Sequence, residues 1–366
     1  MRRLANSEVF RVVVFITIAA VTLSFGAVGA QAKKDVVITT YQTSPITEMA
    51  IFTSIPMYLK YYEAEGLNVS FRGAPGGADS IQMMISGGAQ LVYIGTYPPI
   101  LARSKGVPLK SFLRTTQAPA GYPAVLEMSP IRDVKQFKGK IVGVNSMGTG
   151  VIPVIKAMLA EAGMDSEKDV NFVVAGVGSQ ALAAIQTGKV EILGLWDAAY
   201  WEIEALGAHR FRKVSSPLLE SLTWTLGMFA MEDYIRRNPD VVVGVARAIS
   251  KACVVAKVNP EASVRMHWKV FPETKPTGID EATALRRQTE ILQKRVDTLK
   301  LDLASMRGFG TADEKEVRAM YEFLLKSKVL GKDFDPRDLF TNEFIARIND
   351  YDVGTVERAA RGIRVD

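Results

Sequence analysis

From residue 36 onward, short apolar runs alternate with segments in which apolar residues recur at helical spacing. Residues 36–41 form a β-branched run that predicts a strand, and Ser44-Pro45 breaks it. Residues 67–71 alternate as a second strand after a helical stretch that ends at Gly66. One unit then occurs twice, roughly 100 residues apart. The segment 77–96, GADSIQMMISGGAQLVYIGT, overlays without a gap on 178–197, GSQALAAIQTGKVEILGLWD. Ile81, Met84 and Ile85 mark one buried helix face, and Leu182 with Ile185 marks the same face in the second copy. Gly87 and Gly188 end these helices. The runs 91–94 and 192–195 are almost unbroken apolar sequence, as expected of parallel strands covered on both sides. In such sheets ligands bind beyond the carboxyl ends of the strands, here around Thr96-Tyr97 and Trp196-Asp197.

The same pattern divides the chain. Residues 33–118 predict the first part of one α/β lobe, 119–223 a second lobe, and 224–351 a strand that returns to the first lobe followed by its helices. Within the second lobe, a strand at 140–145 leads through the glycine-rich turn 146–150 into a helix at 152–162. Asn238-Pro239 starts a long helix to about residue 258, a second runs from Asp280, and Val317, Met320, Tyr321 and Leu324 form the apolar stripe of a third. Residues 352–366 show no apolar periodicity and read as a disordered tail.

The first 32 residues predict a secretory leader. Arg2, Arg3 and Arg11 form a basic start, 12–27 is an apolar core, and Ala30-Gln31-Ala32 supplies a small-residue cleavage site. Without the leader, the net charge of +6 falls to a mild positive excess with no basic stripe, which argues against nucleic acid as a partner. The only cysteine, Cys253, stands among Ala252, Val254 and Val255, so it can be neither a lipidated first residue nor half of an internal disulfide. His209 and His267 are the only histidines, and neither has a nucleophile or metal ligand at a recognisable spacing. This predicts a chain that is not an enzyme, with no catalytic residue, cofactor or metal.

Candidate chemistry clusters at the strand ends. The turn 146–150, with Ser146 and Thr149, can turn backbone N–H groups toward an anion at a helix start, or can be a plain structural turn. Thr96-Tyr97-Pro98-Pro99 offers the same geometry in the other lobe. Trp196 can wall a ligand's apolar part and Asp197 can accept from an amine; alternatively Trp196 closes the core and Asp197 caps the next helix. Tyr41, Gln42 and Trp224 are placed near the cleft by topology.

Four segments, YLKYYEAEGLNV at 58–69, GGAQLVYIG at 87–95, FKGKIVGV at 137–144 and DPRDLFTNEF at 335–344, together resemble ABC-transporter solute-binding proteins of the nitrate, sulfonate and taurine type. Their superfamily also holds binders of the pyrimidine precursor of thiamine. The resemblance runs in order over nearly the whole chain after the leader. It implies a type II periplasmic-binding fold, in which two α/β lobes enclose a ligand cleft and C-terminal helices pack on the first lobe. It also implies a pocket containing Tyr41, Gln42, Thr96, Ser146, Thr149, Trp196 and Asp197, with Asp197 meeting a ligand ammonium as in taurine-type binders. The chain departs from that type at Ala198-Ala199, where a proline-containing turn is usual. The implied protein is a periplasmic monomer that passes a small organic anion or zwitterion to an inner-membrane ABC permease and its cytoplasmic ATPase. A pyrimidine or aromatic-acid binder, a pyrimidine-synthase-like enzyme and a ligand-sensing module are the alternatives.

Overall fold

The computed structural model describes residues 32–206, 209–326, 330 and 332–365. Residues 1–31, and with them the expected leader, lie outside the described residues. The strands are β1 (Lys34–Thr40), β2 (Leu67–Gly73), β3 (Leu91–Gly95), β4 (Leu109–Arg114), β5 (Gly121–Leu126), β6 (Lys140–Val144), β7 (Val170–Val174), β8 (Ile192–Trp196), β9 (Phe211–Lys213) and β10 (Leu226–Met231). They form two five-stranded sheets, ordered β2-β1-β3-β10-β4 and β7-β6-β8-β5-β9. In the first sheet β2, β1 and β3 are parallel and β10 runs antiparallel between β3 and β4. The second repeats this arrangement, with β7, β6 and β8 parallel and β5 antiparallel between β8 and β9. Each sheet therefore borrows one reversed strand from the segment that crosses between the sheets.

The duplicated pattern in the sequence is a duplicated structure. Helix α1 (Gly77–Ile85) precedes β3, and helix α4 (Gly178–Gln186) precedes β8, each nine residues long. Gly87 and Gly188 follow them at φ of 81° and 70°, the left-handed conformation that a side chain disfavours. The strands they lead into are buried along almost their whole length, which explains their unbroken apolar sequence. Helices α2 (Tyr97–Arg103), α3 (Val151–Glu161) and α5 (Asp197–Leu206) start at the carboxyl ends of β3, β6 and β8.

The C-terminal part is helical, with α6 (Pro239–Val258), α7 (Pro260–Val270), α8 (Glu281–Thr298), α9 (Glu314–Lys326) and α10 (Val353–Gly362). Helix α6 is buried nearly all round, and Cys253 is fully enclosed in it. Among the described residues, no helix is long and apolar enough to cross a membrane.

Helix α10 corrects the expectation of a disordered tail at 352–366. Asp352 caps it by accepting from the Thr355 N–H at 3.1 Å, and Asn259 Nδ2 donates to the Ala360 and Ile363 carbonyls at 3.0 and 3.2 Å. Val353, Val356, Ala360 and Ile363 recur at helical spacing and form its inward stripe, so an apolar periodicity is present at 353–363 where none was expected. The helical stretch before β2 is also broken in two, into Ser54–Tyr58 and Tyr61–Ala64, by Lys60 at φ 57°.

His267 packs inside the helical layer, with its Nδ1 3.0 Å from Ser54 Oγ and no exposed surface. Burial pushes its imidazole down to about 3. An unfolded chain titrates this group near about 6.5, so its contribution to stability is complete above that pH and is lost as pH falls toward 3. Urea unfolding should therefore show a fall of about 1.4 kcal/mol per pH unit between pH 6 and pH 4 that disappears from the His267→Gln variant. Equal pH slopes for the two proteins would contradict this reading.

Candidate functional site

The carboxyl ends of the two sheets enclose a cavity of about 60 Å³. Tyr41 comes from the end of β1, Tyr97 and Pro98 from the start of α2, Thr149, Gly150 and Val151 from the start of α3, and Trp196 from the last position of β8. Tyr41 and Trp196 meet edge to face with centroids 5.6 Å apart, and Tyr41 leans on Tyr93 at 6.1 Å. The walls are thus largely aromatic and apolar, a surface suited to the body of a small organic molecule. The buried Nε1 of Trp196 and Oγ of Ser146 have no hydrogen-bond partner among the described residues. Of the residues that line the cavity, Trp196 with Nε1 and Asn145 with Oδ1 thus carry buried polar atoms left open to a further partner.

Glycines bring the two halves of the cavity together. A Cβ on Gly76 would lie 2.8 Å from Ser146 Oγ and 3.3 Å from the Gly148 carbonyl oxygen, while one on Gly77 would meet Pro98 Cγ at 2.7 Å within the first half. A Cβ on Gly150 would meet Pro98 Cδ at 3.0 Å. Backbone from the α1 start therefore touches backbone from the α3 turn. Asn145 Nδ2 donates to the Pro75 carbonyl at 3.2 Å, and the Ala78 N–H donates to the Gly148 carbonyl at 3.4 Å. Both bonds join residues attached to different sheets.

Beside this cavity lies a buried ion cluster. Arg295, on α8, donates from Nε to Glu48 at 2.5 Å, from Nη2 to Asp197 at 2.6 Å and from Nη1 to Thr116 Oγ1 at 3.3 Å. The Tyr41 hydroxyl donates to the other oxygen of Glu48. The guanidinium also lies 5.5 Å from the Trp201 ring centroid. Arg295 and Glu48 have no exposed surface, and Asp197 is 3% exposed. Burial pushes the Asp197 carboxyl up to about 6, Arg295 pulls it back and Glu48 raises it further. Burial alone would weaken the Arg295 charge, but the Asp197 and Glu48 carboxylates more than offset that and hold it firmly protonated.

Of the nine residues singled out in the sequence, Tyr41, Tyr97, Thr149 and Trp196 line the cavity together. The other five do not line it. Gln42 is half-buried just beyond Tyr41, and Ser146 is half-buried in the α3 turn. Thr96 donates its hydroxyl to the Trp224 carbonyl at 2.8 Å, and Trp224 is enclosed against Phe229, 6.2 Å between centroids. These two bolt β3 to the returning strand, and it is their neighbours Gly95, Thr225 and Leu226 that reach the cavity. Asp197 opens α5, accepts from the Ala198 N–H at 2.8 Å and is held by Arg295 rather than left open to an amine. Arg295 and Glu48 were not singled out, yet the sequence carries a signal for Arg295. It stands on α8 four residues after Ile291 and three after Leu292, so the apolar stripe contains a charge that must find buried partners.

Removing the guanidinium leaves two carboxylates buried and unpaired. Arg295→Met should cost about 3–5 kcal/mol of unfolding free energy in urea. Adding Glu48→Gln and Asp197→Asn to Arg295→Met should recover much of it, because the uncompensated charges are then gone. A loss below 1 kcal/mol for the single variant would contradict the clustered charges as drawn.

The family model described as NMT1/THI5 like matches residues 56–263. The chain is 23% identical to YtlA of Bacillus subtilis over 246 residues, covering 65% of this chain and 72% of that protein. A Bordetella bronchiseptica protein of solved structure superposes with a TM-score of 0.69 at 20% identity, over 87% of this chain and 98% of its own. The periplasmic aliphatic sulphonate-binding protein SsuA of Escherichia coli superposes at 0.59 with 18% identity, covering 83% and 96%. The desulfurization enzyme DSZB superposes at 0.53 with 14% identity, covering 86% and 99%. The two mixed sheets with their helices are the periplasmic-binding-protein fold.

Proposed function

The chain belongs to the NMT1/THI5-like family, and from that membership we propose that it is an exported solute-binding protein, which encloses a small organic ligand between its two sheets and delivers it to the permease of an ABC importer. The observation that carries this reading is the cavity itself, formed by strand ends and helix starts from both sheets. Ligand contacts made to both halves exist only when the halves are closed together, so binding shifts an open-to-closed equilibrium by their free energy. A permease that recognises the closed form then receives loaded protein.

A sulfonate or taurine-like ligand is the first reading. The start of α3 aims backbone N–H groups at the cavity beside the Thr149 hydroxyl, which suits an anionic head held without a lysine or arginine. An aminopyrimidine or another flat heterocycle is the second reading. It is favoured by the walls of Tyr41, Tyr97 and Trp196, and by a neighbouring cluster in which two carboxylates face one guanidinium. Binding is preferred over catalysis because the cavity walls carry no histidine, lysine or cysteine, and the single cysteine of the chain is enclosed in α6.

A thermal-shift series on the chain without its first 32 residues tests both readings, since a ligand at 100 times its Kd adds about 2.7 kcal/mol to stability. Taurine or short alkylsulfonates should raise the melting temperature by several degrees. Trp196→Ala should abolish that rise while leaving the ligand-free melting temperature within a few degrees. A rise with aminopyrimidines alone supports the second reading, and none with any of these compounds would count against the site as a small-molecule pocket.

A further inference from the structure

A second cavity, of about 450 Å³, shares no lining residue with the aromatic one. Its walls come from four places in the fold: Thr47 in the loop after β1, Gly178 and Ser179 at the start of α4, Glu202 on α5, and the segment 273–288 that runs into the first turns of α8. Thr47 adjoins Glu48, so this cavity lies against the Arg295 ion cluster. Three ionisable side chains line it, Glu202, Glu273 and Arg287. Among the described residues, none of the three has an ion-pair partner, although ion pairs are abundant elsewhere along the same segment, as at Lys275–Glu281 and Arg265–Glu281.

Glu202 is the unusual member. It is half-buried on a helix that also carries Trp201 and Ile203 into the interior. Burial and the nearby Glu48 carboxylate push its carboxyl up to about 8, so at neutral pH it holds a proton that an incoming cation would displace. Arg287, an obligate cation, is half-buried on α8, and Glu273 is exposed at the edge of the cavity. The start of α4 adds the free N–H groups of a nine-residue helix. A cavity with unpaired carboxyl groups, an unpaired guanidinium and a helix start has complementary places for both ends of an amphoteric molecule.

We infer that this cavity is a second ligand site and that it takes a small amino-acid-like zwitterion, with the ammonium on Glu202 and Glu273 and the carboxylate on Arg287 and the N–H groups at Gly178 and Ser179. The site is independent of the aromatic cavity and of what that cavity holds. Its walls include the β1 loop, α5 and α8, which the Arg295 cluster also joins, and its occupant adds α4 to them.

Isothermal titration of the full chain with 5-aminovalerate, pentylamine and valerate tests the inference. The zwitterion should bind at least tenfold more tightly than either singly charged analogue. It should also release a proton on binding, read as an enthalpy that changes with the ionisation enthalpy of the buffer near pH 7. Glu202→Gln and Arg287→Met, each checked for an unchanged far-UV spectrum and melting temperature, should each weaken binding at least tenfold. If 5-aminovalerate gives no heat, or binds no better than pentylamine or valerate, the inference fails. It fails equally if binding survives both variants but is lost in Trp196→Ala, which would put the zwitterion in the aromatic cavity.

Discussion

One guanidinium neutralises carboxylates that leave both sheets. Glu48 follows the first strand of one sheet, Asp197 follows the last parallel strand of the other, and Arg295 reaches both from a helix of the C-terminal layer. Removing three such groups from water is costly, and the attraction between them offsets that cost only while every partner stays in place. The cluster is therefore sensitive to relative position. If the sheets move apart, Arg295 can keep one carboxylate but not both. The aromatic cavity inherits this constraint through Tyr41, whose ring lines the cavity and whose hydroxyl is bound to Glu48.

The glycines on the opposite side of the cavity complement the cluster. Gly76 and Gly150 let turns attached to different sheets approach closely, Gly76 to the Gly148 backbone and Gly150 to Pro98. A charge cluster on one side and side-chain-free backbone on the other leave a small apolar space between them, walled by Tyr97 and Trp196. A pocket so built selects by size and by the few unused polar atoms at its edge, of which Trp196 Nε1 is one. The larger cavity beyond Thr47 differs in carrying the ionisable side chains of Glu202, Glu273 and Arg287, and it borders the same cluster.

Much of the fold was legible because it is duplicated. The overlay of 77–96 on 178–197 identifies two helices and two buried strands with their glycine stops, and the structure has all of them at those positions. The site was only partly legible. Strand-end logic finds Tyr41, Tyr97, Thr149 and Trp196, because a parallel sheet places its carboxyl ends on one side whatever the side chains are. It cannot tell Trp196, which faces the cavity, from Trp224, which is enclosed against Phe229, since both stand at an end of an apolar strand, Trp196 closing β8 and Trp224 just before β10. Nor can it find a partner for Asp197, because Arg295 lies far along the chain and the contact depends on how α8 packs. Helix α10 was missed for a different reason. Its apolar stripe of Val353, Val356, Ala360 and Ile363 is diluted by Glu357, Arg358, Arg361 and Arg364, and the Asp352 cap and Asn259 reaching across from the α6–α7 junction add to what that stripe supplies.

The claim on which the rest turns is that Arg295 holds the two sheets in one arrangement around the cavity. The most direct test is a spin-label distance between cysteines introduced at Lys105, beside the first sheet, and Lys168, beside the second, both exposed. Measured without ligand in the otherwise native chain and in Arg295→Met, the distance should change from one narrow distribution to a broader and longer one while far-UV spectra stay the same. An equally narrow, unshifted distribution in the variant would contradict the account and leave Arg295 as a stabilising residue with no part in positioning the sheets.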